Sequence, residues 1–273
     1  MTHQLIEASV EDGQPMRCYE FQRGTLRWRY TSADRDVTIN NMLFRGNVGI
    51  SDEGMQFTGD PKADALTIIM PSYLEIPLMY RVIAPADTIY VVVWDAHYGQ
   101  PTGEVAWTGI VTGHSSVTED LSHITCESIV SSLEIPGLRL GWQRSCPFTL
   151  YDPETCRLNK ADYEVVAQIA DKDGATIHSA RAGDFSDGYF SGGFVEWEIE
   201  AGLRERRGIQ SHTGTQLLLL GGTYGIEVGS SVFIFPGCFR TAVICSNKFD
   251  NILNYGGIPH LEGRSPFDGS SVW

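Results

Sequence analysis

The sequence predicts a mainly β fold of two barrel-like domains, the second loop-rich and cysteine-bearing. Three observations carry that prediction. β-branched and aromatic runs of four to nine residues recur along the chain, as at 66–70 (LTIIM), 88–94 (TIYVVVW) and 104–112 (EVAWTGIVT). Twenty-nine glycines and twelve prolines punctuate those runs at short intervals. After Pro136 the texture changes, and four of the six cysteines gather there.

Taken in order, residues 18–30 alternate as a pair of strands with a turn near Gly24. Helical period is scarce in the first half; a short turn over 128–133 is the best candidate, bounded by Pro136 and Gly137. Residues 145–163 hold Pro147, Pro153 and two cysteines and read as an ordered loop. Further strands follow at 194–199, 209–211, 217–220 and 232–235. From Asp250 onward Gly, Pro and Asn dominate without periodicity, so side-chain contacts, a partner or a metal-centred loop must hold that segment. No internal repeat is present. The chain divides into an all-β N-terminal domain, 1–135, and a β-rich C-terminal domain, 136–273.

Composition narrows the function classes. Apolar residues make up 42% and charged residues 20%, enough for a sizeable core and incompatible with wholesale disorder. Twenty basic against thirty-four acidic residues give a net charge of −14, which argues against wrapping nucleic acid. The excess is uneven: 8 basic and 18 acidic residues before position 136 (−10), 12 and 16 after it (−4). Apolar runs of four to seven residues fall far short of the ~20 that span a bilayer. Residues 1–10 contain Glu7 and no basic stretch leading into an apolar one, so export by the general pathway is not expected. Six cysteines are too sparse for a disulfide scaffold, leaving reduced thiols or metal ligands as the default.

Enzyme motifs are absent: no G-x-S-x-G, H-E-x-x-H, P-loop or dinucleotide fingerprint occurs. The seven histidines (3, 97, 114, 123, 178, 212 and 260) are scattered and read as surface or hydrogen-bonded residues. Glu196, Glu198 and Glu200 alternate along a strand and read as an acidic face. Glycines 221, 222, 225 and 229 read as hairpin turns. The aromatics of 185–197 read as core and turn packing, with a subunit contact or a sugar platform as alternatives. Arg204 to Arg207 read as a solvated turn, or a contact for an acidic partner.

The cysteines carry the sharper signal. Cys146 and Cys156 bracket one loop (SCPFTLYDPETC), and Cys238 and Cys245 bracket another (PGCFRTAVIC). Two thiol pairs in two distant loops are able to converge on one tetrahedral centre. The intervals, nine and six residues, exceed the usual two to four of structural zinc and suit a wider iron–sulfur cluster. Cluster, zinc, disulfides and inert buried thiols all stay open on spacing alone. Cys18 and Cys126 lie in strand-like contexts and read as small core residues.

At these residues the chain resembles a known family. Residues 138–159 (LRLGWQRSCPFTLYDPETCRLN), then Arg207 and Ile209, then PGCFRTAVIC running into SNKFDNILNYGGIPHLEGRSPF, are similar to the C-terminal module of phage tail hub proteins. That family includes the hub protein of gene transfer agents and, more distantly, tail tip protein L of lambda-like phages. The resemblance is weaker over 30–80. It implies a non-enzymatic virion protein at the tip of a long flexible tail, assembled in the host cytoplasm. The implied partners are a distal tail protein, a central tail tip or fibre protein, and further copies of itself in a trimeric ring. Genomic DNA passes nearby without specific binding, and no membrane segment is implied.

Because the lambda-like branch carries a [4Fe–4S] cluster, the resemblance implies a cysteine-metal-centred C-terminal module with Cys146, Cys156, Cys238 and Cys245 as ligands. Zinc is the alternative metal. Two departures stand out: Tyr255 where Phe is common, and Arg157 where a small residue is expected. The rival classes are a cluster-dependent redox or sensor protein and a secreted, disulfide-stabilised β binding module.

Overall fold

In the computed structural model, which describes residues 13–56, 58, 64–134, 140–200 and 202–261, the alternation around Gly24 becomes a hairpin. Strand β1 (Pro15–Arg23) pairs antiparallel with β2 (Leu26–Thr31). The chain folds as two units, 1–135 and 136–273. In the first, further strands are β3 (Val37–Ile39), β4 (Met42–Gly46), β5 (Ser51–Asp52), β6 (Leu66–Pro71), β7 (Tyr90–His97), β8 (Gly103–Ser116) and β9 (Leu121–Ser128). They form one nine-stranded sheet in the order β3-β4-β2-β1-β7-β8-β9-β6-β5. Every neighbouring pair is antiparallel except β2 and β4.

Period-two alternation explains which face each side chain takes. Tyr19 and Phe21 on β1 enter the main core with Ile68, Met70, Val91, Val93 and Ile124. Cys18, on the opposite face of the same strand, joins Met16, Ile39, Phe44 and Ala96. Both faces of the strand centre are therefore covered, and each large buried side chain contributes roughly 1.5–3 kcal/mol. Cys18 and Cys126 are fully buried, as expected of core thiols.

Polar ties fix the periphery of this unit. Tyr19 Oη and Arg17 Nη1 both donate to the Asp52 carboxylate, at 2.6 and 2.7 Å, and hold the two-residue edge strand β5. Tyr30 Oη donates to Glu75 Oε2 at 2.5 Å, joining β2 to helix α1 (Glu75–Tyr80). Burial alone would raise the Glu75 pKa, but the bond from Tyr30 and the nearby Arg45 guanidinium outweigh it and hold the carboxyl below its ordinary range. Six residues with Pro77 inside give α1 no readable period, so the sequence shows no helix there. The turn expected over 128–133 is a 3₁₀ segment, Ile129–Glu134.

The second unit holds β10 (Val165–Gln168), β11 (Asp171–Asp173), β12 (Thr176–His178), β13 (Phe194–Glu200), β14 (Leu203–Thr213), β15 (Gln216–Leu219) and β16 (Ser231–Phe235). They make a seven-stranded antiparallel sheet ordered β10-β16-β13-β14-β15-β12-β11. Phe190, Val195, Ile209, Leu217, Val232 and Ile234 fill its core. The mainly β expectation thus holds with two sheets; among the described residues, neither sheet pairs its end strands into a closed barrel.

Three local expectations need correction. The Arg204–Arg207 stretch is not a solvated turn: it lies within β14, and its side chains alternate in direction. Arg204 and Arg206 reach Glu196 at 3.7 and 3.1 Å, while Arg207 pairs with Glu205 at 3.1 Å and sits over the Trp197 ring. Glu196 accordingly does not belong to an exposed acidic face. It is buried and also receives Lys160 Nζ at 2.6 Å, whereas Glu198 and Glu200 are exposed. Glycines 221, 222, 225 and 229 do occupy turns with positive φ, but β15 and β16 are not partners, so the connection is a chain of turns and not a hairpin. The aromatics of 185–197 pack within the unit: Phe185, Tyr189, Phe190 and His212 contact ring to ring, and Phe194 stacks on Phe235.

Candidate functional site

All four cysteines of the second unit line one cavity of about 110 Å³, with Phe148, Leu150, Leu158, Phe249, Asn254 and Tyr255 among its walls. Each arrives by a different route. Cys146 is fixed by its backbone N–H, which donates to Arg240 O at 2.8 Å and so joins the two cysteine-bearing segments directly. Cys156 closes a turn in which Asp152 accepts from Thr155 N at 2.8 Å and from the Thr155 hydroxyl. Cys238 follows the Pro236-Gly237 step at the end of β16. Cys245 sits on helix α2 (Ala242–Phe249), which Thr241 caps by accepting from Ile244 N at 3.3 Å. The sequence reading placed Cys245 in a loop; an eight-residue helix opening on β-branched Val243 and Ile244 carries too little period to be read.

Aromatic contacts root the first loop on the sheet. Tyr151 packs edge-on against Phe194 and Phe235, and its hydroxyl donates to Pro236 O at 3.0 Å. Tyr163 packs edge-on against Phe249 of α2. Glycines allow the segments to approach further. A Cβ on Gly256 would lie 2.3 Å from the Phe148 ring, so the pair Gly256-Gly257 lets the later segment lie against the start of the first loop. Tyr255 uses its hydroxyl to donate to Arg144 O at 2.6 Å and Arg240 O at 3.1 Å.

The backbone around the cavity is strained. Tyr151, Arg157, Arg240 and Asp250 take φ of 64°, 60°, 60° and 47°, four of the six non-glycine residues with positive φ among those described. Left-handed conformations of such residues cost of order 1 kcal/mol or more and cluster where a site over-determines them. Arg157 stands at the position where a small residue was expected, and it takes a left-handed φ that glycine would adopt without strain. It is held there by Arg157 N donating to Asp152 O at 2.7 Å.

The thiols share an electrostatic environment. Burial, and then the neighbouring Cys238, Cys146 and Cys156, push the Cys245 thiol up to about 11. Burial followed by Cys146 and Cys156 raises Cys238, against the Arg240 N–H that donates to its sulfur at 3.3 Å. Lys248, unremarked in the sequence reading, brings a half-buried ammonium here. It donates to Gly237 O at 2.7 Å and to Tyr189 O, and burial lowers its pKa to about 8. All six cysteines are free thiols, so no disulfide pair brackets either loop. Among the described residues, no three His, Cys, Asp or Glu side chains stand close enough to share a single ion. Thiolates on one zinc would lie about 3.8 Å apart, given Zn–S of about 2.3 Å in a tetrahedron.

Residues 188–265 match the family described as phage conserved hypothetical protein BR0599. That segment spans β13 to β16, both later cysteines and α2. The chain is similar to a curated protein of Xylella fastidiosa (strain 9a5c), 26% identical over 185 residues. The match covers 62% of this chain and spans 38% of that protein's length. Its fold is also that of a chain in the solved structure titled "Virion of native gene transfer agent (GTA) particle", with a TM-score of 0.78 and 20% identity over 98% of this chain and 96% of that one. No helix among the described residues is long and apolar enough to cross a membrane.

Proposed function

We propose that this chain is a structural, non-enzymatic component of a phage or gene-transfer-agent virion, acting at the tail tip as a hub. In this reading it joins a distal tail protein to a central tip or fibre protein and works as a ring of copies, assembled in the host cytoplasm. One observation carries the proposal: the fold corresponds to a virion chain over nearly the whole length of both, leaving neither with a large unmatched domain. The match of 188–265 to a phage family supports it independently.

The proposal includes a [4Fe–4S] cluster held by Cys146, Cys156, Cys238 and Cys245. The residues present fit such a group. Four free thiols surround one cavity, and its 110 Å³ is several times the roughly 10–15 Å³ needed by one water, so it has room for more than one ion. Bound there, the cluster would supply four iron–sulfur bonds that cross-link segments about 80–100 residues apart in the sequence, restricting the unfolded chain.

The test is to delete the gene from the phage or prophage that encodes the chain and complement it. Particles with incomplete tail ends, restored by the wild-type chain and found by imaging to carry it at the tip, are expected. Normal infectious particles without the chain would refute the hub role. For the cluster, anaerobically purified protein should contain about four iron and four sulfide per chain. Stoichiometric zinc, or no metal, would refute the cluster while leaving the hub role standing.

A further inference from the structure

Asn251 makes hydrogen bonds to two of the four cysteines that line the cavity, Cys156 and Cys245. It follows the left-handed Asp250 that ends α2, and it is buried. Its backbone N–H reaches back to Cys245 O at 2.9 Å, and its backbone carbonyl accepts from Cys245 Sγ at 3.2 Å. Its side-chain Nδ2 donates to Cys156 O at 2.7 Å and points to Cys156 Sγ at 3.8 Å. One residue thus holds a cysteine from each segment, 95 positions apart on one side and six on the other. The direction of its amide is set in turn. Asn254 Nδ2 donates to Asn251 Oδ1 at 2.7 Å, and that acceptor role leaves Nδ2 for Cys156.

We infer that Asn251 is a positioning residue that sets the separation and orientation of Cys156 and Cys245, with Asn254 fixing its amide. The inference rests on the reading that these cysteines hold a cluster, and it deepens that reading by naming the chain's own support for the site. Groups that donate to ligand sulfurs and hold ligand loops tune both loading and potential.

The experiment uses full-length protein as wild type, Asn251→Asp and Asn254→Ala. In metal-free protein, alkylation at each cysteine is followed by mass spectrometry. Asn251→Asp, nearly the same shape but with no side-chain N–H, should speed Cys156 about fivefold, the effect of losing one buried hydrogen bond of about 1 kcal/mol, whereas Cys245, held through the backbone of residue 251, should change less. Cys146 and Cys238, which Asn251 does not touch, should change little. Asn254→Ala should act in the same direction and more weakly. An unchanged rate at Cys156, or equal acceleration of all four cysteines in both variants, would overturn the inference. After anaerobic reconstitution with iron and sulfide, the Asn251→Asp cluster should have a more negative midpoint potential, because a donor is lost and a negative charge is added. A potential equal to that of the wild type would overturn it as well. Wild-type protein that takes up neither iron nor sulfide would refute the cluster reading, and the alkylation result would still decide the role of Asn251.

Discussion

Replacing Gly237 with alanine tests the close packing that presents Cys238 to the cavity. A Cβ at this position would lie 2.1 Å from Ser191 O, 2.3 Å from Gly192 C and 2.3 Å from Gly193 N. These distances fall more than an ångström short of the contact optimum of about 3.5 Å. All three neighbours are backbone atoms, so no rotamer change relieves the clash. The facing Gly193 is equally confined, its own Cβ position being 2.0 Å from Phe235 O. Overpacking typically costs about 1–3 kcal/mol, and a backbone-only clash belongs at the upper end. For a unit of this size, each kcal/mol lowers Tm by roughly 3–4 °C, so Gly237→Ala should lower the transition of the C-terminal unit by about 10 °C. The movement also draws Gly237 O away from Lys248 Nζ, now 2.7 Å distant, and displaces Cys238. Calorimetry of metal-free protein measures the shift without involving the cluster. A Tm within about 2 °C of wild type would refute the packing argument, since no small adjustment accommodates that Cβ.

Further outcomes follow from the same geometry. Tyr30→Phe removes the bond to Glu75 and should cost about 1–2 kcal/mol at neutral pH, measured by urea unfolding. Because the folded Glu75 pKa is depressed, its stabilisation is present above the unfolded carboxylate pKa and is lost as pH falls through the folded one; Tyr30→Phe should therefore flatten the acid limb of the stability profile below about pH 4.5. Glu196→Gln leaves Lys160, Arg204 and Arg206 without their shared carboxylate and should destabilise the C-terminal unit by roughly 1–3 kcal/mol, less than a fully buried pair because the cations are partly exposed. Cys146→Ser should abolish iron and sulfide uptake, whereas Cys18→Ser, in the other unit and fully buried, should leave metal content unchanged; elemental analysis distinguishes them.

How far the chain could be read depended on the range of each signal. The strands were legible because alternation is local: 66–70, 88–94 and 104–112 fall within β6, β7 and β8 or overlap them closely. The two α-helices among the described residues were not, since α1 has six residues with a proline inside and α2 eight, too few for a helical period to emerge. Charge was misread for a related reason. Glu196, Glu198 and Glu200 look alike in a strand pattern, yet a bulge between Glu198 and Glu200 and the cations of β14 and Lys160 separate the buried carboxylate from the exposed ones. Arg204 to Arg207 read as a turn because four consecutive charged residues resemble solvated chain. Their aromatic and acidic partners, Phe233, Trp197, Glu164 and Glu196, come from other strands and loops.

Residue types and their local order were enough to establish a mainly β chain, core thiols at Cys18 and Cys126, and two thiol-bearing segments in the second half. Those features depend on interactions between near neighbours, which a linear pattern records. Folding brought Cys146 and Cys156 to the same cavity as Cys238 and Cys245, seated Lys248 beside them, and made Asn251 the link between two of the sulfurs. Such placement follows from sheet register, aromatic packing and glycine-permitted backbone approach across about 80–100 residues of sequence, and no short stretch of the chain encodes it.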